Sequence, residues 1–302
     1  MLMQKLKLNS NVTISQIIHG HWRLDQWGFT KKQLAVLINQ CIEIGITSFD
    51  HADIYGNYTC ENIFGDALKT NKGIRNNIQI ITKCGIKLAT NKFPERKIGI
   101  YDYSYKHIIS SVENSLRNFN TDYIDLLLLH RPAPLLNPNE VAKAFDDLKK
   151  SGKVLSFGVS NFNQYEISML QKYCDQKLVT NQIEVSPYCL EHFENNNLNF
   201  LLKKQIRPMA WSPIAGGIIM KPNDTRSERI NTALIEIANE INIKNIDTII
   251  YSWLLKHPAG ILPIVGSGKI SRIKNAVDAI NIQLTNEQWY RIYTASTGVG
   301  LP

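Results

Sequence analysis

The chain has 302 residues, of which 44% are hydrophobic and 20% charged; this composition is typical of a globular protein and excludes a disordered or fibrous chain. The formal net charge is +8. Because the basic residues are scattered and form no run interleaved with aromatic residues, we expect no nucleic-acid partner.

Cysteine usage and the hydropathy pattern indicate the cellular compartment. The five cysteines are odd in number and no two stand in a Cys-x-x-Cys arrangement, so we expect reduced thiols and no disulfide framework or zinc site. No N-terminal signal peptide is recognisable, and no apolar run approaches the roughly 20 residues of a membrane span. We therefore expect a cytoplasmic protein without a membrane partner, as a monomer or a weak homo-oligomer.

A hairpin followed by alternating strands and helices is predicted along the chain. Residues 4–15 alternate around Asn9-Ser10-Asn11, which indicates the hairpin. Hydrophobic periodicity then predicts strands over 15–19, 46–50, 78–82, 123–129, 154–159, 179–183, 206–210 and 261–265. It predicts helices over 32–44, 61–69, 107–118, 140–150, 165–173, 230–241, 247–255 and 270–280, and a C-terminal helix over 285–295 capped by Thr285.

Eight alternating units without a linker predict one α/β domain over residues 1–302, a (β/α)8 TIM barrel with an N-terminal β-hairpin and a C-terminal helix. A doubly wound sheet is the alternative, because periodicity fixes the alternation but not the closure. No G-x-G-x-x-G follows the first strand, which disfavours that alternative. The Asn-rich stretch 194–199 is interpreted as a loop, with the start of a helix as the alternative.

Seven of the predicted strands end in residues suited to binding or catalysis. In a closed barrel the carboxyl ends of all strands meet at one face, where TIM barrels place their active sites. Each residue alone has an ordinary explanation, as a solvated lysine, a structural histidine or a core tryptophan. Their coincidence predicts a site formed by Asp50, Lys83, His130, Ser160, Asn161, Gln182, Trp211, Gly266 and Ser267.

Tyr55 is the predicted proton donor of this face. A tyrosine phenol titrates near 10, and a neighbouring ammonium such as Lys83 lowers that pKa. Asp50 can hold the ammonium in place, and His130 can orient a carbonyl by hydrogen bonding. The set suits protonation of an oxygen on which negative charge develops, as when hydride is delivered to a carbonyl.

The chain resembles the aldo-keto reductases from the hairpin to the C-terminal helix. The resemblance rests on G-I-T-S-F-D-H-A-D-I-Y-G (45–56), I-I-T-K (80–83), Y-I-D-L-L-L-L-H-R-P (123–132), G-K-V-L-S-F-G-V-S-N-F (152–162), N-Q-I-E-V-S-P-Y (181–188), W-S-P-I-A-G-G (211–217) and L-P-I-V-G-S-G-K-I-S-R-I (262–273). H-A-D-I-Y-G and I-V-G-S-G-K-I are most similar to a bacterial subgroup of NADPH-dependent oxidoreductases.

The resemblance implies a catalytic tetrad of Asp50, Tyr55, Lys83 and His130, with Tyr55 as the general acid. It implies that Ser160, Asn161 and Gln182 hold the nicotinamide carboxamide and that Trp211 stacks on the ring. The full implied cofactor set is Gly20, His21, Trp22, Asp50, Ser160, Asn161, Gln182, Trp211, Ser212, Pro213, Ile214, Ala215, Gly216, Gly217, Ile218, Gly266, Ser267, Lys269, Arg272 and Asn275.

The cofactor implied by the resemblance is NADPH rather than NADH. Ser267, Lys269 and Arg272 resemble the family's clamp on the adenosine 2′-phosphate, and a guanidinium with an ammonium suits a dianionic phosphate. The chain departs from better-known members in having Gly266 where they carry a lysine, and Asn275 and Ala276 where an acid and an Asn are usual.

The sequence thus predicts an NADPH-dependent oxidoreductase that reduces aldehyde or ketone groups to alcohols without a metal. An NADP(H)-binding accessory or regulatory barrel with little turnover is the alternative, and a metal-dependent barrel hydrolase is a more distant one. His51 and Asp53 could be imagined as metal ligands beside Asp50, but adjacent positions at a strand end point in different directions.

The substrate is expected to be a small carbonyl compound. An apolar, aromatic pocket is predicted from Trp22, Trp27, Tyr58, Pro132 and Tyr188. Because the chain stops soon after its last predicted helix, we expect a short closing loop and an open site.

Overall fold

The computed structural model describes residues 3–70 and 73–302, and at its centre eight parallel strands form a closed barrel. The first barrel strand closes on the last, with His19 paired to Val265. The predicted TIM barrel is confirmed, and closure rules out the doubly wound sheet. The barrel strands are Ile18–Gly20, Ser48–Asp50, Gln79–Cys84, Ile124–Leu129, Val154–Ser160, Leu178–Glu184, Arg207–Trp211 and Leu262–Val265.

Helices surround this barrel in the described part of the chain. The α-helices are Lys31–Glu43, Tyr55–Tyr58, Cys60–Leu68, Tyr105–Phe119, Pro138–Lys150, Gln164–Tyr173, Glu191–Glu194, Asn197–Lys203, Thr225–Glu240, Ile246–Lys256, Ile270–Asp278 and Asn286–Thr297. Short 3₁₀ helices occupy Leu24–Gln26, Ile74–Asn77, Ala215–Gly217 and Ala279–Asn281. The predicted cap of the last helix is confirmed, since Thr285 and Gln288 form a capping box.

The N-terminal hairpin closes one end of the barrel. Its strands Lys5–Lys7 and Thr13–Ser15 pair antiparallel, as predicted. Val12 and Ile14 of the hairpin are buried in the same cluster as the residues that fill the barrel interior. The other end, at the carboxyl ends of the strands, carries the predicted site residues.

Side-chain alternation along the strands decides which residues face the barrel axis. In Ile124–Leu129, Leu126 and Leu128 belong to the interior cluster, whereas Leu127 and Leu129 pack in the cluster between strands and helices. Successive side chains of a strand point to opposite faces. The pattern therefore directs His130, the next residue, back towards the axis.

Three local features differ from the sequence prediction. The Asn-rich stretch is not a loop throughout: the alternative interpretation is the one found, since the stretch enters the helix Asn197–Lys203, where Leu198 and Leu201 share one buried face. The helix Thr225–Glu240 begins five residues earlier than predicted, with Asp224 as its capping residue. A second hairpin, Ile86–Lys87 with Ile100–Tyr101, follows the third barrel strand.

Candidate active site

Lys83 is at the centre of a buried polar cluster at the carboxyl ends of the strands. Its side chain is 1% exposed, and its ammonium lies 2.9 Å from both carboxylate oxygens of Asp50. The ammonium also donates to the carbonyl oxygen of His51 at 2.7 Å and to Tyr55 Oη at 3.2 Å. Gln182 Nε2 donates to Asp50 Oδ1 at 2.7 Å from across the barrel. All three ammonium hydrogens of Lys83 thus have acceptors.

Tyr55 reaches this cluster through an unusual turn. The residue follows strand Ser48–Asp50 by five positions, and the next three residues, Gly56, Asn57 and Tyr58, all have positive φ. A Cβ at Gly56 would lie 2.6 Å from Cys60 Sγ and 2.8 Å from Thr59 Oγ1. The position therefore requires glycine both for its left-handed conformation and for space.

The pKa of Tyr55 does not shift in the direction predicted from the sequence. Burial raises the pKa of the phenol above its usual value, and the lowering influence of Lys83 is smaller than that of burial. Burial acts to lower the pKa of Lys83, but Asp50 and Tyr55 together hold it above its usual value. At neutral pH the site therefore contains a neutral phenol beside a charged ammonium.

His130 lies beside the phenol and is neutral. The rings of His130 and Tyr55 meet edge to face with centroids 5.8 Å apart. Burial lowers the pKa of His130 well below its usual value, and the charges of Lys83 and Arg131 lower it further. A neutral imidazole can donate a hydrogen bond to an oxygen but is a poor source of a proton.

The predicted nicotinamide-binding residues form a connected set. Ser160 Oγ donates to the carbonyl oxygen of Gln182 at 2.9 Å, and Asn161 Nδ2 donates to Ser160 Oγ at 2.9 Å. Trp211 Nε1 donates to Asn161 Oδ1 at 3.0 Å, which fixes the half-buried indole at the end of its strand. The set offers amide groups and a flat ring on one side of the tetrad, which fits a planar carboxamide-bearing ring.

The loop after Trp211 and the last barrel loop offer space and positive charge. Gly216 and Gly217 have positive φ, and an added Cβ would meet nothing within 4 Å at either. Helix Ile270–Asp278 has no side-chain cap at its N-terminus, and Lys269 and Arg272 are exposed there. Free N–H groups beside two cations fit a phosphate.

Two other predicted cofactor residues, Asn275 and His21, make contacts within the protein. Asn275 is held by the neighbouring helix, since its Nδ2 donates to both carboxylate oxygens of Asp247 at 3.0 Å. The peptide N–H of His21 donates to the carbonyl oxygen of Asp50, but the His21 ring is fully buried. That ring stacks on the ring of His51, with ring centroids 4.4 Å apart.

Four of the residues predicted to line the substrate pocket lie in different surroundings. Trp27 packs on His19 and against Gly268, between the first and last barrel loops. Trp22 is 58% exposed. Tyr58 Oη accepts from the peptide N–H of Leu88, and Tyr188 Oη donates to Asp224.

Two charged residues at the opening were missed from the sequence, Arg131 and Glu184. Arg131 directly follows His130, and its guanidinium carbon lies 5.9 Å from the centroid of the Trp211 ring. Glu184 pairs with Trp211 in the barrel register. The sequence contained a signal for Glu184: it stands two residues after Gln182 on one strand, so the two side chains share a face.

The described residues contain neither a metal-binding cluster nor a membrane-spanning helix. No group of three or more His, Cys, Asp or Glu side chains suited to a metal ion occurs within residues 3–70 and 73–302. No helix in this part of the chain is long and apolar enough to cross a membrane. The five cysteines form no disulfide.

The closed (β/α)8 barrel and this site together define the class of the protein, an oxidoreductase with a TIM-barrel fold. The family model for the aldo/keto reductase family matches residues 16–296, and the chain belongs to that family. Family membership and the oxidoreductase relatives support carbonyl reduction with a nicotinamide cofactor.

Three similar proteins illustrate the relationship. The uncharacterized oxidoreductase YcsN of Bacillus subtilis is 50% identical over 300 residues, which cover 99% of this chain and 100% of the relative. The 6-dehydroglucose reductase of Agrobacterium fabrum is 39% identical, with 98% and 99% covered. The crystal structure of the thermostable aldo-keto reductase Tm1743 has a TM-score of 0.81 at 23% identity, with 98% and 100% covered. This last likeness concerns the fold.

Proposed function

We propose that this protein reduces aldehyde or ketone groups to alcohols with NADPH and that Tyr55 donates the proton. One observation carries the proposal: the buried ammonium of Lys83, fixed by Asp50 and the His51 carbonyl, donates to Tyr55 Oη at 3.2 Å. A phenol held beside a fixed cation is suited to giving up its proton, because the cation stabilises the phenolate that results.

Each member of the tetrad has one role in the proposed reaction. The bound cofactor supplies the hydride. Tyr55 transfers its Oη proton to the carbonyl oxygen as negative charge develops there, and Lys83 stabilises the phenolate left behind. Asp50 keeps Lys83 charged and in position. His130, neutral at working pH, donates a hydrogen bond to the same oxygen and orients the carbonyl.

Residues on two sides of the tetrad would hold the cofactor. Ser160, Asn161 and Gln182 would bind the carboxamide, and the Trp211 ring would stack on the nicotinamide. At the other end, Ser267, Lys269 and Arg272 would bind the adenosine 2′-phosphate beside the uncapped start of helix Ile270–Asp278. Two cations at this helix terminus favour NADPH over NADH, because NADH has no 2′-phosphate.

The proposal includes a single-domain cytoplasmic enzyme that acts on a small carbonyl compound. The test is NADPH consumption by the purified protein with a panel of aldehydes and ketones. The name of the Agrobacterium relative makes a sugar-derived aldehyde a suitable member of that panel. We expect turnover that a chelator leaves unchanged. NADPH binding without turnover of any carbonyl would instead support an accessory role.

A further inference from the structure

We infer that Arg131 and Glu184 form a substrate-selecting pair that favours carbonyl compounds with hydroxyl groups beside the reacting carbon. The inference rests on the proposed function and names the substrate class for that site.

The position of Arg131 is fixed by its backbone. Its peptide N–H donates to Tyr103 Oη at 3.0 Å, and the Tyr103 hydroxyl donates to the Arg131 carbonyl oxygen at 2.6 Å. The Tyr103 ring packs over Gly85, where an added Cβ would lie 1.9 Å from a ring carbon. Arg131 is therefore anchored at its main chain while its exposed side chain extends over Trp211.

Glu184 faces the same opening from the other side of Trp211. Its neighbours Ile183 and Val185 pack outward in the cluster between strands and helices. Gln182, on the same face as Glu184, reaches Asp50. Glu184 is paired with Trp211 in the register of adjacent strands, which places it beside Trp211 at the carboxyl ends of the strands.

Within the described part of the chain, both charged groups lack hydrogen-bond and ion-pair partners. Across residues 3–70 and 73–302, neither the Arg131 guanidinium nor the half-buried Glu184 carboxyl makes a hydrogen bond or ion pair. The two groups influence each other electrostatically: burial raises the pKa of Glu184, and the charge of Arg131 opposes this. Burial also raises the pKa of Tyr55, and Arg131 has a smaller lowering influence, so the guanidinium lies within electrostatic reach of the phenol.

The chemistry of the pair selects hydroxyl groups. A guanidinium only donates hydrogen bonds, and a carboxylate only accepts them, whereas a hydroxyl does both. A hydroxylated substrate can therefore satisfy Arg131 and Glu184 together. An anionic substrate would be attracted by Arg131 but repelled by Glu184, and an alkyl substrate would make no hydrogen bond with either group.

The test compares DL-glyceraldehyde with propanal, which has the same three-carbon chain and no hydroxyl groups. The readout is the ratio of the two kcat/KM values in wild type, Arg131→Met and Glu184→Gln. A hydrogen bond to a charged group is worth about 1.5–3 kcal/mol, so each variant should lower the ratio by about 10- to 100-fold. Differences in intrinsic aldehyde reactivity cancel between enzyme variants.

A second pair of aldehydes separates selection from general damage. With anionic succinic semialdehyde measured against butanal, Glu184→Gln should raise the ratio and Arg131→Met should lower it. Damage to the fold would not raise this ratio in one variant and lower it in the other. Arg117→Met, on the exposed face of Tyr105–Phe119, is the matched control and should leave both ratios unchanged.

The outcomes also distinguish the inference from the proposed function. If wild type reduces propanal and both variants keep the wild-type ratios, the selecting pair is contradicted while the reductase stands. If wild type reduces none of the four aldehydes, the proposed function fails and the inference fails with it.

Discussion

The ammonium of Lys83 and the carboxylate of Asp50 form a buried ion pair, with Nζ 2.9 Å from each oxygen and both side chains almost fully buried. Removing one member of such a pair leaves an unpaired buried charge. This relationship determines the charge state of the site, because Asp50 acts against the effect of burial and helps to keep the pKa of Lys83 raised.

Lys83→Met should destabilise the protein by about 3–5 kcal/mol, the usual result of leaving one buried charge without its partner. The double variant Asp50→Asn/Lys83→Met should be less destabilised than the sum of the two single variants, because neither charge remains. Denaturant unfolding of the four proteins measures this coupling. Additive changes would show that the pair contributes no interaction energy.

Arg272→Ala should weaken NADPH binding by about 10- to 100-fold, the value of a hydrogen bond between charged groups. NADH binding should change much less, because NADH has no 2′-phosphate. Fluorescence titration with each cofactor gives the two dissociation constants. Lys274→Ala, an exposed cation on the same helix, is the matched control. Equal weakening of both cofactors in Arg272→Ala would contradict the phosphate clamp.

Gly56→Ala should lower both stability and turnover, whereas Gly152→Ala should lower stability only. Both glycines have positive φ, which costs a non-glycine residue about 1–3 kcal/mol. Only at Gly56 would the new Cβ also meet Cys60 and Thr59, and the resulting shift would displace Tyr55. Thermal unfolding and kcat of both variants test this. Equal turnover in both would show that the turn does not position the phenol.

The pH profile tests the state of Tyr55. Reduction needs the protonated phenol, and burial raises the pKa of Tyr55, so the proton is lost only as the pH rises through a value above about 10. Because the pKa of His130 is held well below its usual value, that ring stays neutral across the same range. We therefore expect kcat/KM for reduction to be level from about pH 7 to about pH 10, since this ratio reports the free enzyme. A loss of activity with an apparent pKa near 8 would show that Lys83 outweighs burial.

The alternation of strands and helices could be predicted from periodicity, and eight such units without a linker favoured a barrel over an open sheet. Once the barrel is closed, Asp50, Lys83 and His130 fall at strand ends and must meet at one face. The start of a helix was harder to predict from the sequence where its first turn is polar. The turn after Asp224 carries Thr225, Arg226 and Ser227, so apolar spacing indicated that helix only from residue 230.

The electrostatics of the site could not be predicted from sequence. The sign of the pKa shift of Tyr55 depends on how completely the phenol is buried, and burial is decided by packing from several strands. The contacts of the predicted pocket residues could not be predicted from the sequence either. Trp27 packs on His19, and Tyr188 donates a hydrogen bond to Asp224.

Replacement of Tyr55 by phenylalanine tests the central claim most directly, because it removes the phenolic oxygen and leaves the ring. General acid catalysis contributes about 10²- to 10⁴-fold, so Tyr55→Phe should lower kcat for carbonyl reduction by at least that factor while NADPH affinity is retained. Tyr290→Phe, an exposed position on the C-terminal helix, should match wild type. Turnover by Tyr55→Phe at the wild-type rate would contradict the assignment of Tyr55 as the proton donor.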